Sequence, residues 1–363
     1  MPIKVLTVVG ARPQFVKAAA VSRAIRNGFA SGINEILVHT GQHFDVNMSK
    51  VFFDELDIPA PKYNLAISGG SHGAMTGRML EGIEEVMLME KPDWTLIYGD
   101  TNSTLAAAVA AAKLHIPVAH VEAGLRSFNM RMPEEINRIL ADRVSKLLLC
   151  PTIAATRNLR EEGIIGGVHN VGDVMYDAAL YHGEQARRRG DVLQNLALEP
   201  GRFALATVHR AENTDDPMRL REIVIALSQA SNRLPVVLPL HPRTRQCIQR
   251  FGFAHQLEGV RSIDPLPFVE MAALERSAQV IFTDSGGVQK EAYFYGVPCL
   301  TLRDETEWVE TTDAGANVLV GANSHLLMEW LAKLQNGEWT PNYSATPYGD
   351  GNASKKILAL IAA

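Results

Sequence analysis

The sequence has few cysteines and no long apolar run, and both absences narrow the class of protein. Its three cysteines, Cys150, Cys247 and Cys299, lie far apart. An odd number at such spacing argues against a disulfide framework and against a cysteine-rich metal site. No stretch approaches the roughly twenty apolar residues that span a bilayer, and the N-terminus lacks the apolar region of a signal peptide. We therefore expect a cytoplasmic protein without membrane insertion.

Neither acidic nor basic residues are in large excess, and the common cofactor motifs are missing. The net charge is −5, so the composition does not indicate a nucleic-acid partner or attraction to a membrane surface. The sequence has no GxGxxG fingerprint, no P-loop and no GxSxG elbow. No group of His, Cys and carboxylate residues has metal-ligand spacing. We expect neither a dinucleotide cofactor nor a metal ion.

What the sequence does contain is a repeated alternation of strands and helices. Its 363 residues, 47% hydrophobic and 21% charged, suit a soluble chain of two domains. Short apolar runs, most of them followed by a turn and a helical pattern, occur in two series, at 3–10, 33–41, 93–100, 116–124 and 145–152, and then at 203–209, 234–241, 260–266, 278–287 and 297–304. This pattern predicts an α/β protein with two doubly wound parallel sheets whose domains face a central cleft.

The domain boundaries follow from the same pattern. The first domain is predicted to be 1–170, joined by a C-terminal helix at about 352–363, and the second to be 171–351. The Gly-rich stretch at 166–174 predicts a hinge between them. Ligands bind at the carboxyl ends of strands in such sheets, so the loops after the strands are where site residues are expected.

In the first half, cations and carboxylates follow the strands. Arg12 stands near a helix start, which suits an anion, and Lys17 lies one turn further. Asp100 closes the 93–100 strand and is either a helix N-cap or a carboxylate that faces a ligand. Glu122 follows the next strand. Glu134 follows a proline and is either a first-turn helix acid or a partner of Glu122 in proton transfer.

In the second half, the residues after the strands suit a phosphate ligand. His209 and Arg210 end one strand, and His241 ends the next. The turn Ser285-Gly286-Gly287 opens a helix, where free backbone N–H groups and the helix dipole favour a phosphate. Glu291, about two turns into that helix, is placed to reach a ribose diol.

The motifs together resemble a known family. The chain contains, in order, GARPQFVK, GQH, GDTNST, HVEAGLRS, MPEEINR, HRAEN, HPRT, TDSGGVQKEA, LRDETE and PYGDGN. This series is similar to the non-hydrolysing UDP-N-acetylglucosamine 2-epimerases and covers nearly the whole chain. The resemblance implies a GT-B fold of two Rossmann-like domains, a UDP-sugar substrate, no cofactor and a homodimer.

The resemblance also implies a role for individual residues. The catalytic residues would be Asp100, Glu122, Glu134 and His209. The residues that bind UDP and the sugar would be Arg12, Lys17, Arg210, Asn213, His241, Phe268, Ser285, Gly286, Gly287, Glu291 and Arg303. In bacterial relatives a second UDP-sugar binds as an activator, near residues that match Gln42, His43 and Arg78. Glu135 remains a first-turn helix acid.

Two departures from the family pattern concern the substrate. The family has GTRPE where this chain has Ala11 and Gln14, and RDTTERPE where this chain has Trp308 and Val309. These variants resemble the subgroup that converts UDP-2,3-diacetamido-2,3-dideoxy-glucuronate to its manno epimer for surface polysaccharide, including lipopolysaccharide O-antigen. Replacing Glu by Gln14 removes a negative charge near the expected sugar site, which suits a uronate.

Other activities remain open at this stage. UDP-N-acetylglucosamine is the alternative substrate, and a GT-B glycosyltransferase, a hydrolase and a non-catalytic sensor are the more distant alternatives. For the epimerase, the C2 proton is not adjacent to a carbonyl, so the expected route eliminates UDP to a 2-acetamido-glycal and adds it back. Glu122 or Asp100 would serve one face of C2 and Glu134 the other.

Overall fold

The computed structural model describes residues 2–42, 57–189 and 191–363, with the backbone alone at residues 12, 187–189 and 191. The chain forms two compact units, Met1–Ala178 with Pro347–Ala363, and Ala179–Thr346. These divisions fall a few residues from those expected from the sequence. The helix that the sequence predicts at 46–56 lies outside the described residues.

The first unit is built on a parallel sheet. Its described strands are β1 (Ile3–Val9), β2 (Ile33–His39), β3 (Tyr63–Asn64), β4 (Trp94–Tyr98), β5 (Val118–Val121), β6 (Leu147–Cys150) and β7 (Val168–Asn170). They lie in the order β3-β2-β1-β4-β5-β6-β7, and all pairings are parallel. The central strands are apolar and buried almost throughout, as expected for a parallel sheet with helices on both faces.

The helices of this unit follow the strands. They are α1 (Arg12–Ala24), which continues as a π-helical turn (Ile25–Phe29), α2 (His72–Glu90), α3 (Asn102–Lys113), α4 (Pro133–Val144), α5 (Ile153–Glu161) and α6 (Val174–Arg189), which runs on into the second unit. Helix α3 is rich in buried alanines and packs against both α2 and α4. The small side chains allow this close packing of three helices, which places the start of α3 beside the start of α4.

The second unit repeats the arrangement. Its strands are β8 (Ala204–Thr207), β9 (Val236–Pro239), β10 (Val260–Ile263), β11 (Val280–Thr283), β12 (Cys299–Thr301) and β13 (Asn317–Leu319), in the parallel order β10-β9-β8-β11-β12-β13. Its further helices are α7 (Asp191–Asn195), α8 (Ala211–Thr214), α9 (Pro217–Ser231), α10 (Pro242–Phe251), α11 (Phe268–Ser277), α12 (Gly286–Tyr295), α13 (Val309–Asp313) and α14 (Ser324–Gln335). The prediction of two parallel α/β sheets is confirmed.

The last helix, α15 (Ala353–Ala362), belongs to the first unit and packs on α1. The backbone N–H groups of Ala353 and Ser354 donate to the Asp177 carboxylate at 3.0 and 2.8 Å. Asp177 thereby satisfies N–H groups that the first turn of a helix leaves without an intrahelical partner. This contact ties the end of the chain to α6.

The structure contains three short strands that the sequence pattern does not predict, namely β3, β7 and β13. The stretch at 166–174, expected to be a hinge, contains β7, which pairs with β6. The second sheet continues past the last predicted strand at 297–304 to β13. Strands β7 and β13 have three residues, lie at the end of their sheet and are only partly buried, so they lack the apolar run that marks the inner strands.

The strand orders fix where ligands are expected. The order reverses between β1 and β4 in the first unit, and between β8 and β11 in the second. The crevice beyond the carboxyl ends of such a strand pair is the usual ligand site of a doubly wound sheet. Ligand-binding side chains are therefore expected directly after these four strands, two in each unit.

Candidate active site

A cavity of about 220 Å³ lies at the switch point of the first unit. Four residues predicted as site residues line it, namely Lys17, Gln42, Asp100 and Glu134. Sequence analysis did not identify His72 and Asn137 as site residues, although both line the same cavity. The chain thus brings one basic and two acidic predicted side chains together, from segments far apart in sequence.

Asp100 lines this cavity and does not cap the helix that follows it. The N-cap of α3 is Thr101, whose side chain accepts a hydrogen bond from the Thr104 N–H at 3.3 Å. Asp100 instead forms an ion pair with Arg138, on α4. The Asn137 amide also donates to the Asp100 carbonyl oxygen at 2.8 Å. The second turn of α4 therefore fixes both the backbone and the carboxylate of Asp100.

Glu122 lies directly after β5 in an unusual backbone conformation. Its φ is +70°, in the left-handed region that residues other than glycine rarely adopt. Such a conformation costs about 1–3 kcal/mol and recurs at functional sites. The side chain is 8% exposed and forms an ion pair with Lys17, which is 9% exposed. The surrounding structure thus holds a strained residue with its carboxylate against a cation.

Glu134 and Glu135, adjacent in the first turn of α4, differ in their surroundings. Glu134 is exposed and lines the cavity. Glu135 is 1% exposed, and its carboxylate accepts hydrogen bonds from the N–H groups of Ser127 (3.0 Å) and Phe128 (2.9 Å). Burial raises the pKa of Glu135, but the bonds from Ser127 and the Arg138 guanidinium outweigh it and hold the pKa below its usual value. Glu135 anchors the loop ahead of α4.

Gln14 is one of the departures from the family pattern. Its side chain is buried, lines this cavity and hydrogen-bonds to three neighbouring segments. Its side-chain oxygen accepts from the N–H groups of Gly10 (2.8 Å) and Ala11 (3.0 Å). Its amide nitrogen donates to the Tyr98 carbonyl at 2.8 Å and to Thr104 Oγ1 at 3.0 Å. A glutamate here would place an oxygen against the Tyr98 carbonyl oxygen. The uncharged amide of Gln14 therefore supplies both the acceptor and the donor that these neighbouring groups require.

The residues expected at a second UDP-sugar site fall in different places. Gln42 lines the same cavity as Asp100, and its oxygen accepts from the Ser103 N–H at 3.1 Å. Arg78 is exposed and donates to the Gly69 carbonyl at 2.7 Å. His43 lies outside the described residues. Arg12 begins α1, but its side chain is not among those described.

In the second unit, the predicted phosphate seat is the start of α12. Ser285 is its N-cap, with Oγ 3.5 Å from the Val288 N–H, and the helix begins at Gly286. A Cβ built on Gly286 would lie 2.5 Å from Glu307 Oε1 and 3.0 Å from Trp308 Nε1, whereas one on Gly287 would meet only Ser285 Oγ, at 3.7 Å. A side chain at 286 would have to displace the Glu307 carboxylate, whereas Gly287 has open space beside it.

His209 stands after β8 on a backbone fixed by Asp284. The buried Asp284 carboxylate accepts from the N–H groups of His209 (3.0 and 3.1 Å) and Arg210 (3.0 Å). The His209 side chain is 41% exposed, with Nδ1 3.5 Å from Asp284 Oδ1. Burial lowers the pKa of His209, and the charge of Asp284 only partly opposes this shift. The sequence shows Asp284 beside the seat but does not reveal that it orients His209.

One predicted ligand residue of this loop has a different role. Asn213 is fully buried, and its amide nitrogen donates to Leu302 O at 2.9 Å and to Asp284 at 3.2 Å. Its oxygen accepts from Arg219 at 3.0 Å. Because this amide is saturated by protein groups away from solvent, Asn213 shapes the loop, and its prediction as a ligand is not supported.

The other predicted ligands lie around the same end of the sheet. His241 is the exposed N-cap of α10, and its ring is 6.1 Å from that of His209. Arg303 donates to Glu212 at 3.1 Å and to Glu307 at 2.9 Å, so its guanidinium is already paired. Phe268 begins α11, where it meets a buried histidine edge-to-face.

Glu291, the predicted ribose acid, is mostly buried on α12, near a second buried carboxyl group. Burial raises the pKa of that neighbour, Glu275, well above its usual value, and the charge of Glu291 raises it further. Trp308, the other departure from the family pattern, is buried, and the Lys290 ammonium lies 3.9 Å from its ring centroid. This cation–π contact places the ammonium of Lys290 against the face of the Trp308 ring.

These features define the class of protein. Each unit is a doubly wound sheet with polar residues at its switch point, acids and lysine in one, a histidine and a glycine-opened helix in the other. No group of three or more His, Cys, Asp or Glu residues able to hold a metal ion occurs in the described ranges. Nor does any described helix have the length and apolarity to cross a bilayer. The arrangement is that of a nucleotide-sugar enzyme.

The comparisons with known proteins identify the family. The family model described as UDP-N-acetylglucosamine 2-epimerase matches residues 28–362. The chain belongs to this family, whose members are isomerases. It is 55% identical to the UDP-2,3-diacetamido-2,3-dideoxy-D-glucuronate 2-epimerase of Pseudomonas aeruginosa, over 99% of both chains. It is 49% identical to a UDP-N-acetylglucosamine 2-epimerase homolog of Methanococcus maripaludis, again over 99% of both.

Solved structures show the same fold. The UDP-GlcNAc 2-epimerase of Neisseria meningitidis, bound to UDP-GlcNAc, has a TM-score of 0.88 at 32% identity, covering 99% of each chain. The Methanocaldococcus jannaschii enzyme, in complex with UDP-GlcNAc and UDP, has a TM-score of 0.85 at 40% identity, also covering 99% of each. The predicted GT-B class of two Rossmann-like domains is thereby confirmed.

Proposed function

We propose that this chain inverts C2 of a UDP-2-acetamido sugar, and that its substrate is UDP-2,3-diacetamido-2,3-dideoxy-glucuronate. The main observation behind this proposal is the cavity of the first unit, which is lined by Asp100, Glu134 and Lys17. The 55% identity with an enzyme of that name supports the choice of sugar. The product would be the manno-uronate used in surface polysaccharide.

The proposed reaction needs a base, an acid and a leaving group. A carboxylate removes the C2 proton as the bond between C1 and the UDP oxygen breaks, and UDP leaves with the electron pair. The product is a 2-acetamido-glycal. A protonated acid then delivers a proton to the opposite face of C2, while UDP adds back to C1. The base then releases its proton to water and the acid takes one up, so atoms and charge balance over the full cycle without any oxidant or cofactor.

The ion pairs suggest how the acids divide this work. Glu122 is paired with Lys17 and Asp100 with Arg138, and a nearby cation stabilises the ionised form of an acid. Within the described part of the chain, no cation pairs with Glu134. We therefore assign Glu122 or Asp100 as the base and Glu134 as the acid that carries the second proton.

The second unit would hold UDP through the reaction. The N–H groups and dipole at the start of α12 favour a diphosphate, and His209 stands at the same end of the sheet. Retaining UDP spares the entropy of capturing it again for the return step. The family homodimer and the cytoplasmic address remain predictions.

Proton NMR in heavy water tests the proposal. The protein is incubated separately with the diacetamido-uronate and with UDP-N-acetylglucosamine, without an acceptor. We expect deuterium at C2 and the manno product with the uronate. Turnover of UDP-N-acetylglucosamine alone would assign the alternative substrate, for which the other relatives are named. Net release of UDP would indicate hydrolysis, and no exchange with either sugar would contradict epimerisation.

A single substitution tests the role of Glu134. Glu134→Gln keeps the size of the side chain but carries no exchangeable carboxyl proton, so we expect deuterium incorporation at C2 to be nearly abolished. Affinity for UDP should not change. Glu161→Gln, an exposed acid on α5 outside the cavity, is the matched control. Wild-type exchange in Glu134→Gln would exclude Glu134 as a proton carrier.

A further inference from the structure

A fully buried histidine adjoins two of the proposed proton-transfer acids. His120 lies in β5, two residues before Glu122. Its Nε2 is 2.7 Å from the carbonyl oxygen of Gly99, the residue that precedes Asp100. Its Nδ1 is 2.7 Å from Asp142 Oδ1, on α4. The proposed reaction as described above uses neither His120 nor Asp142.

The partners of His120 fix its protonation. A carbonyl oxygen only accepts, so Nε2 carries a hydrogen. The other oxygen of Asp142, Oδ2, accepts from the Gly124 N–H at 3.1 Å and from Arg126 Nη1 at 2.8 Å, and two such donors favour the ionised carboxylate. A bare Nδ1 would then point its lone pair at an anion 2.7 Å away. Both nitrogens therefore carry hydrogen, and His120 is an imidazolium.

The surrounding charges make such a buried cation tolerable. Asp142 Oδ2 accepts from Arg126 Nη1 at 2.8 Å, and Arg126 forms two bonds with the Glu162 carboxylate, at 2.6 and 2.9 Å. Two cations thus alternate with two carboxylates from the interior to Glu162, which is 28% exposed. A buried charge persists only when it is paired and hydrogen-bonded, and here each member is.

His120, at the buried end of this row of alternating charges, fixes the orientation of the peptide group between Gly99 and Asp100. His120 holds the carbonyl of that peptide, and Asn137 holds the carbonyl of the next. Gly99 has φ +61°, and a Cβ there would be 3.3 Å from Glu122 Oε2. The same peptide therefore carries Asp100 and lies against the Glu122 carboxylate.

We propose that His120, kept as an imidazolium by Asp142, is a positioning residue that sets the separation of the Asp100 and Glu122 carboxylates. It acts through the Gly99 carbonyl and does not touch the substrate. The inference rests on the proposed function for these two acids. A displacement of about 1 Å at reacting groups lowers rates by about 100-fold, which is the scale of effect expected here.

Nitrogen-15 NMR of histidine-labelled protein tests the charge without any substrate. We expect one ring, assigned by its loss in His120→Gln, to have both nitrogens protonated at neutral pH. A ring with one bare nitrogen would overturn the proposal. This result holds even if the sugar assay shows no epimerisation, so the two proposals fail separately.

Kinetics test the positioning role. His120→Gln retains one donor but no charge, and we expect kcat to fall about 100-fold with KM and UDP affinity unchanged. Glu162→Gln, at the outer end, is the matched control and should lower stability while kcat stays within about twofold. If both variants lose the same factor in kcat at equal stability, a general loss of rigidity would explain both results, and the positioning role of His120 would be refuted. If His120→Gln fails to fold, Asp142→Asn replaces it, with the same expected loss of kcat.

Discussion

Lys17 and Glu122 form an ion pair in the interior of the first unit, although 105 residues separate them in the chain. Lys17 lies on the second turn of α1, and Glu122 follows β5, on the other side of β4 in the sheet. Both side chains are less than a tenth exposed. The pair gives the buried acid a fixed counter-charge next to the cavity that Asp100 and Glu134 line.

Lys17→Met should therefore damage both stability and activity. Removing one partner of a buried pair costs about 3–5 kcal/mol, because the other charge is left uncompensated. If Glu122 is the base, losing its counter-charge favours its protonated form, which cannot accept the C2 proton, so we expect kcat to fall at least about 100-fold. Steady-state kinetics and urea unfolding measure the two effects. Lys113→Met, an exposed lysine at the end of α3, is the control.

The double variant separates these two effects of Lys17. Lys17→Met with Glu122→Gln removes both charges, so most of the lost stability should return while kcat stays low. A double variant as unstable as Lys17→Met would show that the loss comes from packing of the lysine stem and not from the unpaired acid. Wild-type kcat in Lys17→Met would rule out the pair as part of the active site.

Glu135 is expected to matter for stability in a pH-dependent way. Glu135→Gln weakens the bonds to Ser127 and Phe128, at a cost of about 1–3 kcal/mol at neutral pH. Because the folded pKa lies below the unfolded one, this stabilisation is present above the unfolded value of about 4.3 and disappears as the pH falls through the folded pKa. Urea unfolding of both proteins at pH 7 and at successively lower pH measures the difference. A difference that does not shrink in acid would mean that charge at Glu135 is not its source.

Sequence analysis predicted the sheets well because apolar, β-branched strands and their helices alternate regularly. It also placed Asp100 and Glu122 at strand ends of the first unit, and His209 and Ser285 at strand ends of the second, where each parallel sheet gathers its own pair. It could not show which side chains pair, because Lys17 with Glu122, or Arg138 with Asp100, meet only through tertiary packing. For the same reason Asn213 was expected to bind ligand, although the fold turns its amide inward.

The neighbouring acids Glu134 and Glu135 show the same limit within one motif. Both belong to the first turn of α4, and without the resemblance the sequence leaves Glu134 as either a first-turn helix acid or a proton-transfer partner of Glu122, and Glu135 as a first-turn helix acid. A rotation of about 100° per residue sends one to the cavity and the other under the preceding loop. Only the direction of the helix relative to the sheet decides which is which, and that direction is a property of the packing.

Gly287→Ala tests the phosphate seat without disturbing the free protein. The added methyl would meet only Ser285 Oγ, at 3.7 Å, and alanine is the better helix former, so the melting temperature should hold or rise slightly. If the diphosphate approaches this backbone, UDP affinity should fall about tenfold or more, which is about 1.4 kcal/mol. Titration calorimetry with UDP measures it. Gly286→Ala is the contrast, because its methyl would displace Glu307 and lower stability as well. An unchanged UDP affinity in Gly287→Ala would show that the phosphates do not bind against Gly287.

UDP binding should be accompanied by proton uptake at His209. Burial lowers the pKa of this imidazole, so the free protein holds it neutral near pH 7. A bound diphosphate brings negative charge, which favours the protonated ring and raises the pKa, so a proton enters on binding and the affinity for UDP rises as the pH falls towards 6. Titration calorimetry in two buffers of different ionisation enthalpy measures the uptake. His209→Asn should abolish most of it, whereas His241→Asn, at the exposed neighbouring ring, should preserve it. Equal enthalpies in the two buffers for the wild-type protein would show that His209 does not change its charge when UDP binds.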